Sequence, residues 1–262
     1  MKYLVKTNDI GTLTDADYNR IVYDSTTGFV YCKNACEYVD LGLPSQLKWA
    51  KYNIGANSEE ETGLYFQWGD TQGYTAEQVG NGGGLKAFNL PDYKFSIGGS
   101  DSNFKKYNAS DNKKKLDLED DAAHVNMGGN WRMPTFAECK ELCFNTDIYL
   151  VPTEGEEIQG TAQDDSGGVK IKWASQTKGT LKGVKFYKKS DKQTYMFVPA
   201  AGSAAEDSVR AVGLLGYLWS SSLESSRVQD AWHFSFGVYS GNVYGRERYY
   251  GLPVRGVLDQ NQ

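Results

Sequence analysis

Apolar and polar residues alternate most regularly between Ala231 and Tyr239. Trp232, Phe234, Phe236 and Val238 fall on one side of that run, and His233, Ser235, Gly237 and Tyr239 on the other. This is the two-residue period of a half-buried strand. Ser240-Gly241-Asn242 then supplies turn chemistry, since Gly and Asn tolerate positive φ, and a second run containing Tyr249 and Tyr250 follows. The pattern predicts a hairpin anchored in the core, with His233, Ser235 and Tyr239 directed outward. Its outer face and turns carry Ser, Tyr, Asn and Arg, residue types that suit a contact surface because aromatic rings bury large area at little rotamer cost.

Weaker versions of the same pattern predict strands over residues 38–41, 47–52, 63–70, 169–173, 183–188 and 195–198, with 216–221 leading into the hairpin. Helical composition occurs twice. Residues 117–127 place their acids at the favourable N-terminal end, and Gly128-Gly129 stops the run. Thr135 and Glu138 have the spacing of a capping box in front of a helix from Phe136 to about Asn145, with Phe136, Cys139, Leu142 and Cys143 as its apolar stripe. Residues 71–115 and 152–168 sustain no period and read as surface loops. Near the start, residues 20–24 and 29–32 form a predicted hairpin. A segment of that size cannot bury a core of its own. The sequence therefore divides into 1–36, either an added hairpin of the main fold or an anchoring segment, and a main domain over 37–262.

Composition sharpens this picture: 18 Tyr, 6 Trp and 29 Gly favour many short strands and turns over long helices. The net charge of −5 argues against nucleic acid and anionic membrane as partners, and Lys113-Lys114-Lys115 sits between acids as a solvated loop. There is no apolar leader segment at the N-terminus and no run of eighteen apolar residues, so synthesis in a cytosol without membrane insertion is expected.

Four cysteines form two Cys-x-x-x-Cys pairs, Cys32/Cys36 and Cys139/Cys143. Buried thiols, disulfides and a four-thiolate zinc site are all compatible with four such residues. The spacing lacks the Cys-x-x-Cys knuckle, so buried thiols and no metal are expected. The acidic loop 101–112 does not follow the ligand spacing of an EF-hand and reads as solvated. Only two histidines occur, His124 and His233. Neither has a nucleophile and an acid at a recognisable spacing, and no enzymatic activity is expected.

Seven stretches occur in a telling order: EYVDLGLPS followed by LKWA, YFQWGD, GGNWRMPT with Glu138 three residues on, FVPAAG, GYLWSS, AWHFSF and RYYGLPVR. As a set, covering about residues 37–258, they resemble the Fibrobacter succinogenes major paralogous domain family common in Bacteroidetes and their phages. The resemblance implies an α+β, C-type lectin-like fold in which two helices flank short twisted antiparallel sheets with long loops. That fold is close to formylglycine-generating-enzyme-like domains and to the variable proteins of diversity-generating retroelements. It also implies that surface positions of the C-terminal segment bind ligand, here Ser220, Ser221, Ser222, Tyr239, Asn242, Tyr244 and Arg246, to which the strand pattern adds His233.

Trp131, Arg132, Thr135, Glu138, Trp219, Trp232, Arg248 and Arg255 then belong to the scaffold. Two departures narrow the function. No cysteine follows Cys143, where the formylglycine generators need one, and the calcium-binding Glu-Pro-Asn motif of animal lectins is absent. The expectation is a cofactor-free virion protein, a head or tail fibre or capsid-decoration component. Residues 1–36 would dock on other virion proteins, the C-terminal region would bind a host surface protein or glycan, and a homo-oligomer such as a trimer would fit a fibre. A bacterial ligand-binding module of the same family is the alternative.

Overall fold

A computed structural model describes residues 37–80 and 86–258, together with the backbone of three short strands, β1 (Val5–Thr7), β2 (Ile21–Asp24) and β3 (Val30–Cys32). In that small sheet β2 pairs antiparallel with β3, as the predicted hairpin requires, and parallel with β1. The turn joining β2 to β3 and the Cys32/Cys36 pairing lie outside the described residues.

The main domain begins with three short strands, β4 (Tyr38–Val39), β5 (Lys48–Ala50) and β6 (Tyr65–Phe66). Helix α1 (Ala122–Met127), strand β7 (Trp131–Arg132) and helix α2 (Phe136–Asn145) follow. From there the chain is almost wholly β. Five long strands come first: β8 (Thr146–Pro152), β9 (Ile158–Asp165), β10 (Gly168–Trp173), β11 (Leu181–Lys188) and β12 (Asp191–Pro199). A small hairpin, β13 (Ser203–Ala205) and β14 (Ser208–Arg210), leads into β15 (Leu215–Leu223), β16 (Asp230–Gly237) and β17 (Gly241–Glu247). Two short strands, β18 (Leu252–Pro253) and β19 (Val257–Leu258), complete the series.

Eight strands form one curled antiparallel sheet in the order β12-β11-β8-β9-β10-β17-β16-β15. The C-terminal strands close the domain onto its beginning: β18 pairs with β6, and β19 lies between β5 and β7. The architecture is α+β, with two α-helices among the described residues.

Each helix has its expected signals. Asp121 caps α1 by accepting from the backbone N–H groups of Ala123 and His124, and Gly128 ends it at φ +72°, a conformation that glycine adopts without steric cost. The first turn of the predicted 117–127 helix is instead a 3-10 turn, Leu118–Asp120. At α2, Thr135 accepts from the Glu138 N–H while Glu138 accepts from the Thr135 N–H, the predicted capping box. Cys139, Leu142 and Cys143 face the core as buried free thiols and an aliphatic side chain. Phe136 stacks on Trp232 with ring centres 4.1 Å apart.

The sheet separates two cores. On its inner face Phe234, Phe236, Val243, Ile171, Val184 and Phe186 pack beneath α2. On the other side Trp219, Tyr217 and Ala231 pack against Trp68, Tyr93, Phe95, Phe104 and Tyr107. Packing against the inner face is close. A Cβ on Gly216 would lie 2.2 Å from the Phe236 ring, so only glycine fits there.

Two loop expectations are corrected. Residues 158–165 of the predicted 152–168 loop form β9, whose half-buried positions are Ile158, Gly160, Ala162 and Asp165. With Gly160 and Ala162 at two of these positions, the strand gives almost no hydrophobic signal. Apart from a 3-10 turn at Ala76–Gln78, residues 71–80 and 86–115 are irregular in backbone, yet Tyr74, Val79, Phe88, Tyr93, Phe95, Phe104 and Tyr107 are all buried. Their spacing follows the sites they fill rather than a period, so the sequence shows polar loop where the molecule has core. The hairpin turn is also shifted: Val238 and Tyr239 form its tip, and Gly241 and Asn242 already belong to β17.

Candidate functional site

Strand β17 and the turn after it organise the outer side of the sheet near its β15 edge. Side chains alternate, so Val243 enters the inner core while Asn242, Tyr244 and Arg246 point the other way. Register places Asn242 opposite Ser235, Tyr244 opposite His233 and Arg246 opposite Ala231. These outward side chains, with the rings from neighbouring β15 and from the turn after β17, form one patch.

Arg246 is the centre of that patch. Its guanidinium lies 4.8 Å from the ring centre of Tyr217 and 4.1 Å from that of Tyr250. Tyr250 in turn stacks on Tyr249 at 4.9 Å. A guanidinium between two aromatic rings is held by the attraction of its charge for the ring faces, which orients its N–H groups without an acid partner. Tyr244 donates its hydroxyl to Asp165, and that carboxylate pushes the Tyr244 pKa up to about 12. Asn242 donates to Ser240 Oγ at 3.2 Å. In the patch Arg246 is thus held by the rings of Tyr217 and Tyr250, Tyr244 by Asp165 and Asn242 by Ser240.

Beneath it sits His233. Expected on the surface, it is 5% exposed and lies against Tyr217 (5.8 Å between ring centres) and Trp219 (6.0 Å). The strand alternates as predicted, but its second face is covered by the outer core rather than by water. Burial first, and the Arg246 charge second, lower the His233 pKa from 6.5 to about 3, so the ring is neutral at physiological pH. It is a packing residue under the patch.

The serines also need correction. Ser220 and Ser221 are fully buried, and Ser222 is half-buried. Pairing of β15 with β16 is interrupted between Trp219 and Leu223, which frees this backbone for other partners. Ser220 O accepts from Trp68 Nε1, Ser221 N–H donates to Pro134 O, and Ser221 O accepts from Leu116 N–H. Ser222 Oγ accepts from Phe136 N–H at the first turn of α2. Three segments converge on these residues, and small side chains let them approach. Of the predicted ligand-binding residues, the structure brings Asn242, Tyr244 and Arg246 together on one face. Tyr239 is 80% exposed at the hairpin tip, and Ser220, Ser221 and His233 are interior.

The residues expected in the scaffold have the following partners. Arg132 donates to both carboxylate oxygens of Glu138, at 2.8 and 2.7 Å, joining β7 to α2. Trp131 is buried and Trp232 half-buried. Trp219 donates from Nε1 to Phe66 O, reciprocating the bond of Trp68 to Ser220 O, so two indoles cross-link β15 to the β6 segment. Arg255 is fully buried and donates to Asn53 Oδ1, Lys51 O and Phe197 O. Burial lowers its pKa to about 9. Arg248 is equally buried, in the aromatic cluster of the outer core.

The sequence reading missed Tyr217, Tyr249 and Tyr250 as parts of the patch. Their signal was their number alone, since which tyrosines meet Arg246 depends on how the turn after β17 folds back. The carboxylates of Asp117, Glu119 and Asp120 converge closely enough to hold a cation, but Lys106 Nζ lies among them at 2.7, 2.8 and 2.6 Å. A protein cation already neutralises that group. Among the described residues no helix is long and apolar enough to cross a membrane. Comparison with known protein families, curated proteins and solved structures finds no match to this chain.

Proposed function

We propose that the chain is a structural protein of a phage particle, a fibre or capsid-decoration component, whose C-type lectin-like domain binds a host surface protein or glycan. The observation that carries the recognition reading is the Arg246 patch. One guanidinium is fixed between Tyr217 and Tyr250, with Tyr244 and Asn242 beside it on the same face. Tyr and Arg dominate the energetics of protein interfaces, and here their rotamers are set before any partner arrives, which lowers the entropy of binding. Two helices, the curled antiparallel sheet and a long irregular region support the C-type lectin-like assignment, as does the string of motifs from Tyr38 to Arg255. On this reading residues 1–36 attach the domain to other virion proteins or to further copies of itself, and the domain works without cofactor or catalysis.

The test is co-sedimentation. Particles purified from a lysate of the source culture should contain the chain in fixed ratio to the capsid protein by mass spectrometry. A chain confined to the soluble fraction defeats the virion assignment and favours a bacterial interaction module. If the particle assignment holds, Arg246→Ala particles should adsorb to host cells at least about tenfold less well than wild type.

A further inference from the structure

Arg246 is fixed in place without being paired. Of the arginines among the described residues, Arg132, Arg210 and Arg227 face carboxylates, and Arg248 and Arg255 donate to backbone carbonyls. Arg246 alone in that set makes no hydrogen bond and no ion pair. The neighbouring acids are engaged elsewhere: Asp165 accepts from the Tyr244 hydroxyl, and Asp230 pairs with Arg227. Only the rings of Tyr217 and Tyr250 meet the Arg246 charge, and a ring face offers no acceptor in the plane of the guanidinium.

The N–H groups of Arg246 are not equivalent. Nε is buried, so that side of the fork is closed to a partner. The residue as a whole is half-buried, and Nη1 and Nη2, which also lack acceptors, are not buried. The far end of the guanidinium is therefore what meets solvent. Two parallel N–H groups at that end match the two oxygens of one carboxylate. Phosphate presents similar oxygens, but Asp165, bonded to Tyr244 two residues away, and the net charge of −5 favour a singly charged anion over a doubly charged one.

The walls narrow the source of that carboxylate. Tyr217 is 7% exposed, and Tyr250 carries Arg246 at 4.1 Å and Tyr249 at 4.9 Å. Neither ring against Arg246 has a bare face on which a sugar could stack, whereas an acidic side chain needs only the open end. We infer that the patch takes the carboxylate of an aspartate or glutamate side chain from a protein partner, gripped end-on by Nη1 and Nη2 of Arg246. This rests on the reading of the patch as the recognition surface and narrows its partner to an acidic protein segment. The two rings hold the guanidinium before the partner arrives, so little rotamer freedom is lost on binding.

An acetylated, amidated hexaglutamate peptide titrated into the full chain tests this by calorimetry and by the arginine Nε–H resonances in NMR. Saturable binding that shifts the Arg246 signal is expected, with a hexaserine peptide silent and affinity falling at least about tenfold between about 50 and 500 mM salt. Arg246→Ala should weaken binding at least about tenfold, and Arg246→Lys at least about threefold, because an ammonium lacks the paired donors. Arg210→Ala, at an exposed position, should leave it unchanged. Should Arg246→Ala fail to fold, the wild-type Arg246 resonance and the Arg246→Lys titration still decide the matter. Absence of saturation, an unmoved Arg246 signal, wild-type affinity in folded Arg246→Ala, or an equal loss in Arg210→Ala overturns the site. Equal affinity for hexagalacturonate, which carries its carboxylates on sugars, overturns the protein source, and displacement by equimolar inorganic phosphate overturns the carboxylate. Host adsorption that needs Arg246 without any peptide binding would remove this inference alone, whereas adsorption indifferent to Arg246 would remove the patch reading with it.

Discussion

The two sides of the central sheet are built by different means. Under α2 the packing is aliphatic and aromatic side chains from regular strands, such as Ile171, Val184, Phe186, Phe234 and Phe236, whose backbone hydrogen bonds are all made within the sheet ladder. On the opposite side the core is made of aromatic rings from irregular chain, and their polar atoms bond to backbone. Trp68 Nε1 reaches Ser220 O, Trp219 Nε1 reaches Phe66 O, and Tyr93 Oη reaches Trp68 O. Irregular backbone leaves carbonyls without ladder partners, and buried carbonyls need donors. Indoles and phenols fill volume and donate in one side chain. That is why the outer core is rich in Trp and Tyr, and the Arg246 patch, with the same residue types, lies on that side.

The largest effect that could break this comparison is at Trp219. Trp219→Ala should cost about 3–5 kcal/mol by urea denaturation followed by circular dichroism, because it empties the outer core and leaves Phe66 O unpaired. On the inner face, Phe234→Leu keeps most of the volume and removes no hydrogen bond. It should cost under about 1.5 kcal/mol, and an equal loss at both sites would refute the distinction.

Acid sensitivity comes next. With its pKa lowered to about 3 in the fold against 6.5 when unfolded, His233 is protonated more readily in the unfolded chain. Its contribution is present above pH 6.5 and is lost as the pH falls towards 3. Asp230 has the opposite sign. Desolvation raises its folded pKa from 3.8 to about 6, so the folded state holds the extra proton and stability falls as pH rises between those values. His233→Gln should therefore remove the acid destabilisation expected of wild type, and Asp230→Asn should remove the expected loss between about pH 4 and 6. Melting temperatures across pH 3–8 for the two variants check both signs, and a His233→Gln protein as acid-labile as wild type contradicts the buried neutral ring.

Smaller effects sharpen the local reading. Thr135→Ala removes the side-chain half of the α2 cap and should cost about 1 kcal/mol, read from the denaturation midpoint. Tyr239→Ser, at the exposed hairpin tip, should change stability by less than about 0.5 kcal/mol. A larger loss there would mean that the tip packs against something in solution.

Much of the fold was readable because it rests on local rules. The Thr135/Glu138 box, the helix from Phe136 to Asn145, and the alternation in β16 each depend on residues a few positions apart. Arg132 and Arg255, expected in the scaffold, are bonded to Glu138 and to oxygens of Asn53, Lys51 and Phe197 respectively. The site was legible only in part. Asn242, Tyr244 and Arg246 were named through the family resemblance, whereas Tyr217, Tyr249 and Tyr250 come from elements that meet them only in three dimensions. The serines of β15 look like an exposed polar run, and their burial could not be read because it arises where three distant segments cross.

The sequence by itself determined the capped helix α2 and the strands with regular alternation, such as β16, because periodicity and capping are set by neighbouring residues. Tertiary structure alone decided that the other face of β15 and β16 is also buried, that His233 is neutral, and that Arg248 lies wholly inside the outer core. Those outcomes depend on the aromatic residues of 86–116 folding back across the sheet. Long-range packing of that kind has no period, and the charge and exposure of a side chain follow from what finally covers it.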